Sequence, residues 1–241
     1  CAEMISSCKG STNKDVAKLE EALRLAKTLK GESRSILGQV VVSLLRVHER
    51  RLEDQEILDL GLPIARLDVN GDLPAGYSAQ NVLEIKGICA QACLRRRRPD
   101  LGLQLADEVA NWDNGYSNFA PVAAMSVFAS LGKGDKARKF IDHAYESLVL
   151  ITFIPCLSEH KFFDLAYLSS KKAEEVIAGE AFILQQNRKN ALKIAKAKLL
   201  IDERNIPGAR LVMRQLFEDV KRTSLPDFVS SEVAELICRL D

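Results

Sequence analysis

No Cys-x-x-Cys occurs in this chain, although it contains six cysteines, so the spacings of a zinc site and of a thioredoxin-like redox pair are both missing. Cys1, Cys8, Cys89, Cys93, Cys156 and Cys238 are scattered through apolar stretches of a chain too long to need disulfide staples, which fits a reducing compartment. Cys89 and Cys93 stand four apart and so share one helix face, as small core residues do. Histidine is scarce: His48, His143 and His160 are the three. No His-Glu-x-x-His, P-loop, Gly-x-Ser-x-Gly or Gly-x-Gly-x-x-Gly is present, which removes the local signatures of metalloproteases, nucleotide hydrolases, serine hydrolases and dinucleotide enzymes. Asp142-His143 and Glu159-His160 are adjacent pairs, which project to different sides of a helix rather than cooperating. The expectation is therefore a protein that is not an enzyme and needs no metal or cofactor.

Excess charge is missing as well. Lys plus Arg is 34 and Asp plus Glu is 33, so no global field draws in nucleic acid or an anionic membrane. No apolar run approaches the roughly 18 residues of a membrane span; the longest, 148–157 (LVLITFIPCL), is short and contains Pro155. No initiator Met or signal peptide is seen, so the numbering is expected to start inside a longer chain or after processing. The expected compartment is cytoplasmic, with a lipid-anchored periplasmic lipoprotein as the alternative if Cys1 is a processed N-terminus. Aromatics make up 6%. Trp112, the only tryptophan, reads as packing at a junction between units, and Phe162, Phe163 and Tyr167 read as core.

What is abundant is helical periodicity. With 47% hydrophobic residues the chain can bury a sizeable core, and apolar residues recur at three- and four-residue spacing almost throughout. The spacing predicts helices over about 13–29, 34–50, 54–68, 78–97, 99–111, 117–131, 134–149, 158–169, 171–186, 188–204, 207–222 and 228–240. Thr12 and Asn13 suit a helix cap, Pro99 and Pro207 suit first turns, and Gly31, Gly132 and Gly134 suit helix ends. Residues 69–76 and 113–116 are the clearest loops. Short connections make consecutive helices antiparallel neighbours.

An internal repeat runs through this pattern. Six stretches, each expected near the start of the second helix of a pair, begin at Ala22, Gly61, Gly102, Ala137, Ala173 and Ala209. The first residue is always small. The fourth is apolar (Leu25, Ile64, Leu105, Phe140, Val176, Val212) and the fifth is Ala, Ile or Met. Successive starts lie about 39, 41, 35, 36 and 36 residues apart, the period of a helical solenoid. Two helices approach closely only where a side chain is small, and a single hairpin cannot bury such a face alone, so hairpins stack.

In this the chain resembles the tetratricopeptide repeat family, a helical hairpin of about 34 residues. Met125, Phe128, Gly132, Ala137, Ile141 and Ala144 fall on the family's spaced positions, as do Ala197, Leu200, Ala209, Met213 and Leu216, and Ala90, Cys93, Gly102, Ala106 and Val109. The family's Trp, its Leu-Gly pair and its unit-ending Pro are missing. The resemblance implies an all-α, right-handed superhelix of antiparallel hairpins, a single domain of about six units over 1–241, which holds a peptide or helix of a partner protein on its concave face.

Two basic clusters are the candidate contacts. Arg95, Arg96, Arg97 and Arg98 close one helix, where cations suit the C-terminal dipole. Lys189, Lys193 and Lys196 share a face by their spacing of four and three, opposite Leu192, Ala195 and Leu199. Both clusters favour an acidic peptide or helix as the protein partner. The alternative is an RNA-binding array of the pentatricopeptide type, in which each repeat reads one base. Near-zero net charge and the uneven unit lengths count against nucleic acid.

Overall fold

The computed structural model of the protein describes residues 13–29, 36–112, 120–220 and 236. Among them all regular structure is α-helical, as the periodicity requires. The helices are α1 (Asn13–Thr28), α2 (Ile36–Arg50), α3 (Asp54–Ala65), α4 (Ala79–Arg95), α5 (Pro99–Ala110), α6 (Ala120–Ser130), α7 (Gly134–His143), α8 (Ser147–Glu159), α9 (Phe163–Ala178), α10 (Phe182–Asp202) and α11 (Ile206–Val220). No helix among the described residues is long and apolar enough to cross a membrane. Cys1, Cys8, Thr12, Gly31, the loop over 113–116, Cys238 and the helix expected over 228–240 lie outside the described residues.

Boundaries agree with the sequence reading to within a few residues except between 144 and 187. There the expected helix over 134–149 ends at His143, and Ala144 is extended (φ −70°, ψ 130°). The segment read as a break becomes α8, with Pro155 inside it. An interior proline costs a helix about 3 kcal/mol. Val149, Leu150, Ile151, Phe153, Ile154 and Leu157 are all buried, and each such side chain contributes roughly 1.5–3 kcal/mol on leaving water, so burial outweighs the proline. Likewise Ser169-Ser170 does not interrupt α9. Ser169 Oγ donates to Leu150 O of α8 at 2.8 Å, so the hydroxyl is satisfied in the core without breaking the ladder. Tyr167, expected in the core, is 45% exposed, and its hydroxyl donates to Glu203 at 2.5 Å.

Five helix-to-helix turns share one geometry. A residue in the left-handed region ends the first helix: Leu52 (φ 57°), Arg97 (57°), Gly132 (69°), Lys161 (64°) and Arg204 (64°). The following N–H reaches back five residues: Glu53 to His48 O (3.0 Å), Arg98 to Cys93 O (2.8 Å), Lys133 to Phe128 O (2.8 Å), Phe162 to Leu157 O (2.9 Å) and Asn205 to Leu200 O (2.7 Å). This is the Schellman closure, which satisfies a terminal carbonyl. The same five residues then accept the N–H that opens the next helix, from Ile57, Gly102, Ala137, Ala166 and Ala209 at 3.0 to 3.1 Å.

Those hydrogen bonds set the structural register of the repeat and correct the one read from spacing. The equivalents of Gly102, Ala137 and Ala209 are Ile57 and Ala166, not Gly61 and Ala173. The intervals between them are 45, 35, 29 and 43 residues by their numbers, less regular than the 41, 35, 36 and 36 read from spacing for the same five units. Gly61 and Ala173 lie four and seven positions past their equivalents, on the same helix face, and all of these residues are buried. Burial along a helix therefore repeats the pattern at the wrong turn. The fifth position is buried in every stretch: Ala26, Ala65, Ala106, Ile141, Ile177 and Met213. The fourth is not, since Leu25 is half exposed and Ile64, Val176 and Val212 are half-buried.

The chain forms two compact units, Cys1–Val127 and Phe128–Asp241. In the first, α2 packs on α1, α3 and α4, and α4 also packs on α3 and α5. Gly61 of α3 sits where an added Cβ would meet Cys89 Sγ of α4 at 2.6 Å and Leu45 of α2 at 3.2 Å, so the absent side chain sets the approach of three helices. Lys86 is buried within the same unit, and its ammonium donates to Ala65 O (2.6 Å) at the end of α3 and to Glu108 Oε2 (2.5 Å) of α5. In the second unit α8 packs on α9 and α10, α10 on α9 and α11, and α7 on α9. Phe140 joins Phe128 and Phe153, with ring centroids 5.6 and 6.3 Å apart.

Candidate functional site

A groove in the first unit is lined by three helices, α2, α4 and α6. Glycine makes part of it possible: a Cβ on Gly87 of α4 would stand 3.0 Å from Ala123 Cβ and 3.2 Å from Ala120 O of α6, so the two helices come close only because that side chain is absent. Ile88 and Gln91 of α4 and Val122 and Ala123 of α6 face a pocket of about 220 Å³, and α2 contributes Arg46, Glu49 and Arg50 to it. The apolar lining suits a partner's hydrocarbon side chain. The polar groups at its edge supply direction.

The charges are arranged in two tiers. Glu84, also in the groove, is 7% exposed at its side chain, and Arg46 Nη2 donates to its Oε2 at 3.0 Å. A carboxylate removed from water needs such a partner. Glu49 is different. Burial pushes its carboxyl above the usual range, while Arg95, Arg46 and Arg50 nearby pull it back by charge, with no side-chain hydrogen bond among the described residues. The groove thus holds a half-buried carboxylate beside three arginines. No three or more of His, Cys, Asp and Glu gather as metal ligands among the described residues.

The arginine run borders this region and is partly committed to structure. Arg95 Nε donates to Asp54 Oδ1 at 2.7 Å and Arg96 to Gln55 Oε1 at 3.2 Å, which ties the end of α4 to the start of α3. Arg97 is the left-handed residue of its turn and Arg98 the cap residue of α5. The lysines of α10, in the second unit, diverge. Lys193 pairs with Asp219 of α11, Lys196 with Glu174 of α9, and Lys189 donates to Gln185 Oε1 at 3.4 Å. Leu192, Ala195 and Leu199 are buried as expected, but so are Ile194 and Ala197, because α10 is wrapped by three other helices.

The histidines have structural surroundings: His48 Nδ1 bonds Glu53 Oε2 (2.7 Å), His143 Nδ1 bonds Lys139 O (2.8 Å) and His160 Nε2 bonds Ser130 Oγ (3.2 Å). Cys89 and Cys93 are buried in the core, and burial pushes the Cys89 thiol up to about 12, far from a reactive thiolate. Sequence reasoning missed Arg46, Glu49, Arg50 and Glu84. The available signal was Glu84 and Lys86 in the otherwise apolar start of α4 (VLEIKGICA), since charges in a buried stripe imply fixed partners. Compared with protein-family models, with curated proteins and with solved structures, the chain matches none of them.

Proposed function

We propose that this protein is an interaction adaptor of the tetratricopeptide type, a superhelix of stacked hairpins that holds a peptide or helix of a partner protein along the groove of α2, α4 and α6. The observation that carries the reading is the groove itself: an apolar lining of Ile88, Val122 and Ala123 edged by the charges of Arg46, Glu49, Arg50 and Glu84. A carboxyl pushed above its ordinary range by burial, as Glu49 is, inside such a cleft supports a binding site there. The partner segment places an apolar side chain against Ile88, Val122 and Ala123, a main-chain N–H or other donor on Glu49, and an acidic side chain near Arg50 and Arg95. Recognition of this sort uses a shaped groove with a few placed polar groups and leaves no catalytic signature, in keeping with the motifs the sequence lacks.

Peptide display on the intact protein tests it. Peptides selected on the unaltered chain should lose binding to Val122→Arg, which fills the groove, and weaken by about tenfold, or 1.4 kcal/mol, on Glu49→Gln. Selected peptides that bind Val122→Arg undiminished would place recognition elsewhere.

A further inference from the structure

A second cavity in the first unit, between the end of α3, the middle of α4 and the end of α5, has the chemistry of a small-molecule site. Its volume is about 360 Å³, within the range of small-ligand pockets, and polar atoms dominate its lining. Lys86 lines it although its side chain is only 1% exposed. The Lys86 ammonium has three N–H donors and spends two, on Ala65 O and Glu108 Oε2.

The hydrogen-bonding balance around it is lopsided. Glu108 already serves Lys86 and Gln104, and Asp68 Oδ1 accepts the Asn70 N–H at 3.0 Å. Further donors line the cavity: the exposed Arg66 guanidinium and Asn111 amide and the half-buried Trp112 indole N–H, none of which meets a side-chain acceptor among the described residues. A cavity whose spare donors outnumber its one spare carboxylate oxygen, Asp68 Oδ2, calls for a ligand that brings acceptors. Two cations, Arg66 and Lys86, balance two acids, Asp68 and Glu108, so a singly charged group is accommodated without a large residual field, and a doubly charged phosphate is not. The half-buried indole of Trp112 offers a flat wall against which a ring stacks.

We propose that this cavity binds a small aromatic carboxylate, its carboxylate on Arg66 and Asn111 and its ring against Trp112. This goes beyond the peptide groove, which lies on other residues, and stands or falls independently of it.

Trp112 is the only tryptophan of the chain, so fluorescence excited at wavelengths that tyrosine does not absorb reports on this cavity. The full chain is titrated with benzoate and phenylacetate, and in parallel with benzyl alcohol and inorganic phosphate, with saturation-transfer NMR of each probe as a second readout. A saturable response to the carboxylates, at least tenfold weaker for the alcohol and for phosphate, is expected. Arg66→Ala should weaken the carboxylates about tenfold with unchanged circular dichroism, and Arg66→Lys should restore part of the loss. No saturable response to either carboxylate up to about 10 mM, a weak limit for specific binding, overturns the proposal. So does equal response to the neutral alcohol, or binding indifferent to Arg66→Ala.

Discussion

The Cβ that Gly102 lacks would stand 2.9 Å from the carbonyl oxygen of Ala90, closer than a carbon side chain can come to a backbone oxygen. Helix α5 therefore approaches α4 only through a glycine, at the position where the Gly102 N–H also opens the helix by bonding Arg98 O. Gly102→Leu should cost roughly 1–3 kcal/mol through overpacking. Ala137→Leu, at the equivalent and fully buried position of α7, should do the same. Gly179→Ala is the control: its Cβ meets only Val176 O, at 3.5 Å, with αR backbone. Denaturant midpoints that move equally for all three would contradict the register.

Four of the five hairpin turns place a non-glycine residue at positive φ, where L-residues pay a steric penalty. Leu52→Gly and Lys161→Gly should each raise stability by up to about 1 kcal/mol, the relief exceeding glycine's greater unfolded-state entropy. Gly132→Ala should lower it by a similar amount. Thermal melts of the three variants check the sign in each case.

Glu49 gives a pH signature of definite sign. Its folded carboxyl titrates above the ordinary 4.5, chiefly through burial. Its contribution is thus most favourable below 4.5 and is lost as pH rises through the higher folded value. Glu49→Gln should accordingly stabilise the protein at pH 7 relative to its effect at pH 4. Glu53 is the opposite case, held below 4.5 first by its hydrogen bond with His48. Stability from Glu53 is present above 4.5 and lost as pH falls through the depressed value, so Glu53→Gln should weaken the protein at pH 7 and matter little in acid. Chemical denaturation across pH distinguishes the two.

Charge reversal on α10 should not be uniform. Lys189→Glu is expected to leave stability nearly unchanged. Lys193→Glu and Lys196→Glu place like charges against Asp219 and Glu174, at a cost of about 1 kcal/mol or less each because the pairs are partly solvated. The double variant Lys193→Glu with Asp219→Lys should recover most of the loss, as a double-mutant cycle would measure. If an acidic partner binds this face, reversal at Lys189 weakens it without touching the fold.

Helix content and the inward faces were legible in the chain itself, because a 3.6-residue period of apolar side chains leaves few alternatives to an α-helix that buries one stripe. The small residues Gly102, Ala137 and Ala209 could be found for the same reason: close helix contact excludes bulk. Tertiary structure decided the rest. Pro155 sits inside a helix because the burial of its neighbours outweighs one missing N–H. Ile57 and Ala166 take the places that Gly61 and Ala173 were expected to fill, because positions four and seven apart share a face and only the turn hydrogen bonds tell one turn from the next. The groove of Arg46, Glu49, Ile88 and Val122 and the cavity around Lys86 and Trp112 each gather residues from three or more segments distant in sequence. Their chemistry comes from proximity, which is not written in local spacing.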